Sequence, residues 1–122
     1  MARNDHPVPV DGLVFPPGNH VYATAAVVAA WLNSHNGTGG YETATRIMKV
    51  AEEAGEACAA WIGLTGRNPR KGETHTAADV ADELADVAMS AFVAMISLGY
   101  EPAAVMAECA DRVGRRLLVG AA

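Results

Sequence analysis

Two acidic segments carry most of the information in this chain: Lys49-Val50-Ala51-Glu52-Glu53-Ala54-Gly55-Glu56, and further along Glu83-Leu84-Ala85-Asp86. A helix turns about 100° per residue, so Glu53 and Glu56 share one helical face, as do Glu83 and Asp86. Like charges one turn apart destabilise a helix by a few tenths of a kcal/mol per pair. Two such concentrations of negative charge therefore indicate a cation that offsets the repulsion.

The ligand type indicates which cation this is. Carboxylate oxygens are hard ligands, which suit Mg²⁺ or Mn²⁺ rather than zinc. A carboxylate beside others also has its pKa raised, which moves a glutamate towards the range of a general base. On one helix alone, the acids at positions 52, 53 and 56 are equally well explained as a solvated face. The second acidic segment favours the metal site.

The composition fits a single small globular domain. The chain has 122 residues, of which 51% are apolar and 19% charged, and aromatic residues make up only 6%, which favours helices over sheets. A net charge of −5 gives no general reason to bind nucleic acid or an anionic membrane. No signal sequence is recognisable, and the apolar stretch Val87 to Leu98 is too short to span a bilayer, so a cytoplasmic protein is expected. Cys58 and Cys109 are expected to be buried free thiols.

Four helices are predicted after an N-terminal arm. Residues 1–19 are rich in proline and lack periodicity, which predicts an irregular arm, and no strand is predicted anywhere. Residues 20–122 form the predicted helical domain, and Thr76 with Asp79 resembles an N-terminal cap with an acid in the first turn. The predicted helices cover about 20–35, Tyr41 to Ile62 with Gly63 and Gly66 as stops, Thr76 or Ala77 to Leu98, and Pro102 to about Val119.

Apolar stripes predict which helix faces are buried. In the second helix the stripe has 4,3,4,3 spacing, with charged residues on the other side, and consists of Ile47, Ala51, Ala54, Cys58 and Trp61. In the third helix it consists of Val80, Leu84, Val87, Ala91, Met95 and Leu98. Because Met89 to Ile96 is apolar nearly all round, we expect a subunit interface there. The prediction is an all-α four-helix bundle that is oligomeric through apolar helix faces.

The acidic pattern resembles a known family signature. Glu-Glu-x-x-Glu, then 26 residues, then Glu-x-x-Asp is similar to the motif of the MazG-like all-α nucleoside triphosphate pyrophosphohydrolases. The matching acids are Glu52, Glu53, Glu56, Glu83 and Asp86, and the similarity covers about 23–117. The resemblance implies a four-helix bundle that forms a homodimer or homotetramer. It also implies Mg²⁺-dependent hydrolysis of an NTP or dNTP to the monophosphate and pyrophosphate, as in house-cleaning of the nucleotide pool.

The resemblance also implies roles for the five acids. Glu53, Glu56, Glu83 and Asp86 would hold Mg²⁺, with Mn²⁺ as a possible substitute, and Glu52 would position or deprotonate the attacking water. Other candidates follow from the residues themselves. Lys49 is either a phosphate contact or an i,i+4 salt bridge to Glu53.

A basic loop supplies further candidates for substrate binding. Asn68, Arg70 and Lys71 lie between the two acidic helices and could grip phosphate oxygens or the base, although a solvated turn is the alternative. Three other functions stay open. They are hydrolysis of a different pyrophosphate compound, of the dUTP or phosphoribosyl-ATP type, a non-catalytic helical nucleotide-binding module, and a di-iron carboxylate protein. The last is disfavoured because Glu-x-x-His is missing.

Overall fold

A computed structural model of the protein describes residues 8–10, 13–15 and 20–119. The four helices confirm the predicted all-α helical domain, and a small strand pair precedes them. In chain order the elements are β1 Val8–Val10, β2 Leu13–Phe15, α1 Val21–Asn36, α2 Gly40–Thr65, α3 Ala77–Ser97 and α4 Pro102–Val119. No helix in the described part of the chain is both long and apolar enough to cross a membrane.

The strand pair corrects the prediction of an arm without strands. β1 and β2 pair antiparallel, with Val8 opposite Phe15 and Val10 opposite Leu13. The missed signal is Asp11-Gly12, a dipeptide typical of two-residue hairpin connections, between two short runs of strand-forming residues. The neighbouring prolines, which are disfavoured in strands, obscure that signal. The rest of the predicted arm, at 1–7, 11–12 and 16–19, lies outside the described residues, as do 120–122.

Local signals set the ends of the helices. At the start of α3, the Thr76 hydroxyl accepts the N–H of Asp79 at 3.2 Å, and the Thr76 N–H donates to the Asp79 carboxylate at 2.7 Å. This capping box confirms the predicted cap, and the bond from the Thr76 N–H lowers the pKa of Asp79. At the end of α2, Gly66 adopts a left-handed conformation with φ 64°. Gly63, the other predicted stop, lies inside the helix.

α3 is the central element of the fold. α2 packs along it as an antiparallel hairpin, and α1 and α4 pack against α3 as well. The core joins Ala25 and Ala29 of α1 to Phe92 and Val93 of α3. The ring of Tyr22 meets Phe92 edge-on, with centroids 5.1 Å apart. Met89 to Ile96 is thus buried or half-buried within a single chain.

The predicted core stripe of α2 is wrong. Ile47 is 47% exposed and Trp61 is 57% exposed, whereas Arg46 and Glu53 are 5% and 8% exposed. The charged side of α2 therefore faces inward. The buried positions precede the predicted ones by one residue, which is a rotation of about 100° around the helix axis. Small residues on this inward side, Ala57 and Ala60 among them, let the helices approach closely.

Two further expectations about burial need correction. Leu84 and Leu98 in the predicted stripe of α3 are 55% and 54% exposed, because α3 directs Phe92 and Val93 into the core instead. Cys58 is exposed rather than buried, because it lies on the outward side of α2, and Cys109 is half-buried. Both thiols are free, as expected.

The substitution Gly63→Ala should destabilise the hairpin of α2 and α3. A Cβ at this position would overlap the His75 ring and the Thr74 hydroxyl. The Thr74 backbone N–H donates to the Gly63 carbonyl at 2.9 Å, which holds the loop close to the helix. We expect a loss of about 1–3 kcal/mol in the free energy of unfolding, measured by urea titration with circular dichroism.

The matched control is Gly55→Ala in the same helix. A Cβ at Gly55 meets nothing within 4 Å, so this variant should gain about 0.5–1 kcal/mol from helix propensity. Equal effects of the two substitutions would contradict the close contact at Gly63.

Candidate metal centre and the adjoining cavity

One side of α2 carries a line of charged residues at 4,3,4,3 spacing. This polar stripe consists of Glu42, Arg46, Lys49, Glu53 and Glu56. Since residues at this spacing share one helical face, the stripe runs along the side of α2 that packs on α3. The apolar stripe of α2 has the same 4,3,4,3 spacing, but in the structure the apolar stripe faces outward and the polar stripe faces inward.

Three carboxylates converge between α2 and α3. One oxygen from each of Glu53, Glu56 and Glu83 lies within 4.8 Å of the others, and we call this group the acid cluster. Glu53 is buried, Glu83 half-buried and Glu56 exposed, so the cluster opens towards solvent on one side. The antiparallel hairpin produces this geometry, because it sets the second turn of α3 against the middle of α2.

The acid cluster contains a buried oxygen without a hydrogen-bond donor and carboxylates that repel each other. Oε2 of Glu83 is buried and accepts no hydrogen bond from any residue in the described ranges. The neighbouring Glu53 carboxylate, burial and Glu83 together raise the pKa of Glu56. A buried acceptor without a donor and three adjacent acids are both stabilised by a cation. The all-carboxylate donor set suits a hard divalent ion such as Mg²⁺ or Mn²⁺.

Two predicted site residues lie beside the acid cluster rather than in it. Asp86 is one turn beyond Glu83 on α3 and is exposed. Glu52 has a side chain that is 59% exposed, and it accepts a hydrogen bond from Lys49 at 2.8 Å. The metal role of Asp86 and the catalytic role of Glu52 therefore stay predictions. Glu52 does lie next to the cluster, with an oxygen accessible to a water.

Lys49 lies at the edge of the acid cluster. Its ammonium is 2.8 Å from Oε1 of Glu52 and 2.9 Å from Oε1 of Glu53, which confirms the predicted i,i+4 salt bridge. These hydrogen bonds, first to Glu52 and then to Glu53, raise the pKa of Lys49. Lys49 is thus a positive charge paired with the carboxylates, and the predicted phosphate contact stays open.

The basic loop lies at the end of the hairpin. α2 continues for nine residues beyond Glu56, which places the start of the loop about 14 Å along the axis from the cluster. Asn68 shapes the turn, because its Oδ1 accepts the Arg70 N–H at 3.2 Å. Within residues 20–119, neither Arg70 nor Lys71 forms an ion pair. The substrate-binding role of all three residues stays a prediction.

A cavity of about 370 Å³ adjoins the cluster and was not predicted. Its walls are apolar and come from Val28 and Leu32 of α1 and Met89 and Val93 of α3. Its polar lining consists of Asn36, Glu42, Thr45, Arg46, Lys49 and Ser90. Since Lys49 both lines the cavity and bonds Glu53, it connects the cavity to the acid cluster.

Arg46 lines the cavity one turn before Lys49, on the side away from the acid cluster. Nη1 donates to Asn33 Oδ1 at 2.7 Å and to Ser97 Oγ at 3.0 Å, and Nη2 donates to the Gly37 carbonyl at 3.2 Å. Nε donates to Glu42 at 3.1 Å. The buried guanidinium thereby joins α1, α2 and α3. The spacing of the polar stripe was the sequence signal that could have identified it.

Comparisons with family models, with curated proteins and with solved structures give no match to this chain. The chemistry of the acid cluster and the cavity therefore rests on their own residues.

Divalent cations should stabilise the protein through the acid cluster. An ion that binds only the folded state adds about 2.7 kcal/mol at 100 times its dissociation constant, so Mg²⁺ or Mn²⁺ should raise the melting temperature measured against EDTA. Glu83→Gln should remove most of that increase. Asp82→Asn, at the exposed neighbouring acid, should retain it. The same ion-induced shift in both variants would contradict the assignment.

Glu56 should give the metal-free protein a pH dependence of known sign. Its pKa is raised above the ordinary value of 4.5, so the folded state keeps the proton to higher pH than the unfolded state. The stability due to Glu56 is therefore present below pH 4.5 and lost as the pH rises through the folded-state pKa. In EDTA, Glu56→Gln should gain stability relative to wild type as the pH rises towards neutral. Urea titrations across this range measure the difference, and a constant difference would contradict the raised pKa.

Proposed function

We propose that the protein is a Mg²⁺-dependent nucleotide pyrophosphohydrolase of the MazG-like type. It would convert an NTP or dNTP to the monophosphate and pyrophosphate, with a role in house-cleaning of the cytoplasmic nucleotide pool. The observation that carries this proposal is the acid cluster beside the cavity, with Lys49 at their junction. A charged phosphate chain and an uncharged base need these two environments next to each other.

The carboxylates would bind the triphosphate of the substrate through a cation. Glu53, Glu56 and Glu83 would hold the cation, with Asp86 completing the set from one turn further along α3. When bound, Mg²⁺ neutralises charge on the triphosphate. Lys49 would exchange one of its carboxylate partners for a phosphate oxygen, since its flexible side chain carries three donors.

Glu52 is the candidate for activating water. Its carboxylate is exposed beside the cluster, and Lys49 holds it at 2.8 Å. In the proposed step the water oxygen forms a bond to phosphorus, the bond to the leaving phosphate oxygen at the α–β bridge breaks, and Glu52 takes the water proton. A carboxylate outside the direct ligand set is free to bond the attacking water.

The cavity would take the nucleoside. Apolar walls from Leu32, Met89 and Val93 exclude water from a flat base, while polar groups at the rim fix its orientation. About 370 Å³ falls in the range of small-molecule pockets.

We propose that the protein works as a homodimer or homotetramer. The support is the exposed apolar surface along α2 and α3, where Trp61 is 57% and Leu84 is 55% exposed, and on α4, where Leu117 is 71% exposed. Surfaces of this kind on one chain are typical of association sites. Leu84→Glu should shift the sedimentation coefficient towards the monomer. Tyr41→Glu, at a 90% exposed residue elsewhere, should not, and a monomeric wild type would refute this part.

The activity is tested by pyrophosphate release from a panel of NTPs and dNTPs, with Mg²⁺ and with EDTA, and by identifying the nucleotide product. Glu52→Gln should lower kcat by about 10²- to 10⁴-fold and keep the Mg²⁺-induced rise in melting temperature. Asp86→Asn should lose turnover while remaining helical by circular dichroism. The control is Glu73→Gln in the exposed loop, which should match wild type.

Different results would select the rival functions. Wild-type rates in the Glu52 and Asp86 variants would contradict the assigned roles. Turnover confined to dUTP or to phosphoribosyl-ATP would indicate a more specialised hydrolase of the same chemistry. Nucleotide binding without turnover would indicate a binding module.

A further inference from the structure

We infer that Glu42 makes the cavity selective for nucleotides whose base carries an amino group, such as cytosine or adenine, over their oxo counterparts. This inference rests on the proposed function, because it assigns the base of the same substrate to the end of the cavity away from the acid cluster. Four features of the cavity carry it.

The position of Glu42 is the first feature. Glu42 lines the cavity eleven residues before Glu53 on the polar stripe, about 16 Å along the helix axis. The cavity thus has a phosphate end at Lys49, which leads to the acid cluster, and a far end at Glu42, beside Asn36 at the end of α1. A nucleotide with its phosphates at the cluster points its base towards Glu42.

The second feature is the unused oxygen of Glu42. Oε1 accepts from Asn36 Nδ2 at 3.1 Å and from Arg46 Nε at 3.1 Å, whereas Oε2 accepts from no residue in the described part of the chain. The side chain is only 16% exposed, so it is fixed rather than free in solvent. The Asn36 bond and then the Arg46 bond lower the pKa of Glu42, so at neutral pH the carboxylate can only accept hydrogen bonds.

The third feature is that the nearest cation cannot turn to a ligand. Arg46 is 5% exposed, and its guanidinium donates to Asn33, Ser97 and the Gly37 carbonyl in addition to Glu42. Four of its five N–H groups are thereby used, and the remaining Nη2 hydrogen is fixed in place with the buried guanidinium. A base carbonyl that faces Oε2 of Glu42 would therefore meet a carboxylate, and Arg46 could not swing round to compensate. An amino group at the same place would donate to Oε2.

The fourth feature is the hydroxyl of Thr45 on the same stretch of α2. Its Oγ1 donates to the Tyr41 carbonyl at 2.9 Å, which uses its one proton and leaves it as an acceptor towards the cavity. The remaining polar groups of the lining do not select strongly between donors and acceptors. Ser90 can donate or accept a hydrogen bond, and Asn36 has one amide hydrogen that is not bonded to Glu42. The far end therefore favours donors over acceptors.

The experiment compares pairs of substrates that differ in one group. CTP and UTP differ in an amino against an oxo group, and so do ATP and ITP. We expect kcat/KM to favour the amino member by about 10- to 100-fold, the range of a well-placed polar contact to a base. Calorimetry of CMP and UMP binding in Mg²⁺ gives a second readout that does not depend on catalysis, because a monophosphate has no anhydride bond to cleave.

The variant Glu42→Gln tests the residue itself. Its amide keeps an acceptor for Arg46 and adds a donor, so the preference for the amino member should fall to about threefold or less in both assays. Glu101→Gln, at an exposed acid near the start of α4, should keep the wild-type preference. Circular dichroism verifies that each variant is folded.

The outcomes separate this inference from the proposed function. Turnover without a preference for amino bases, or an unchanged preference in Glu42→Gln, would overturn the inference and leave the hydrolase intact. Selective binding of CMP without turnover of any nucleotide would support the inference and overturn the hydrolase. Neither binding nor turnover of any nucleotide would overturn both.

Discussion

The guanidinium of Arg46 holds together the end of the fold where three helices meet. It bonds a side chain from α1, a side chain from α3, the loop carbonyl between α1 and α2, and Glu42 on its own helix. A buried cation is tolerated only with such partners, so the rotation of α2 about its axis is fixed. Once Arg46 points inward, residues one, two and three turns further along the same side must do so too.

The rotation of α2 determines where its charged side chains lie. Lys49, Glu53 and Glu56 follow Arg46 on the inward side, and Glu83 of α3 lies opposite the two glutamates. The signs along the stripe change from negative at Glu42, through two cations, to negative again at the cluster. The excess negative charge is therefore confined to one end, where a divalent ion has most to stabilise, while the paired charges at the other end border an apolar cavity.

The sequence was sufficient for features that depend on neighbouring residues. Helix existence, the capping box at Thr76 and the pairing of Glu53 with Glu56 one turn apart are all local, and the structure agrees with them. The side of α2 that is buried could not be predicted, because the apolar and polar stripes have the same spacing. The choice between them depends on Arg46 meeting Asn33 and Ser97, which are 13 and 51 positions away in the chain. The cavity could not be predicted for the same reason, since its polar lining from α2 belongs to the side that was expected to be exposed.

The outward side of α2 has a consequence of its own. Ile47, Cys58 and Trp61 contribute little to the packing of a single chain, so whatever stability they confer would come from association. Association obeys mass action, and damage to these positions would be masked at high protein concentration and revealed on dilution. Damage to the inward side would be independent of concentration. Mutations on the outward side of α2 would therefore have effects that depend on the expression level in the cell, whereas mutations on its inward side would not.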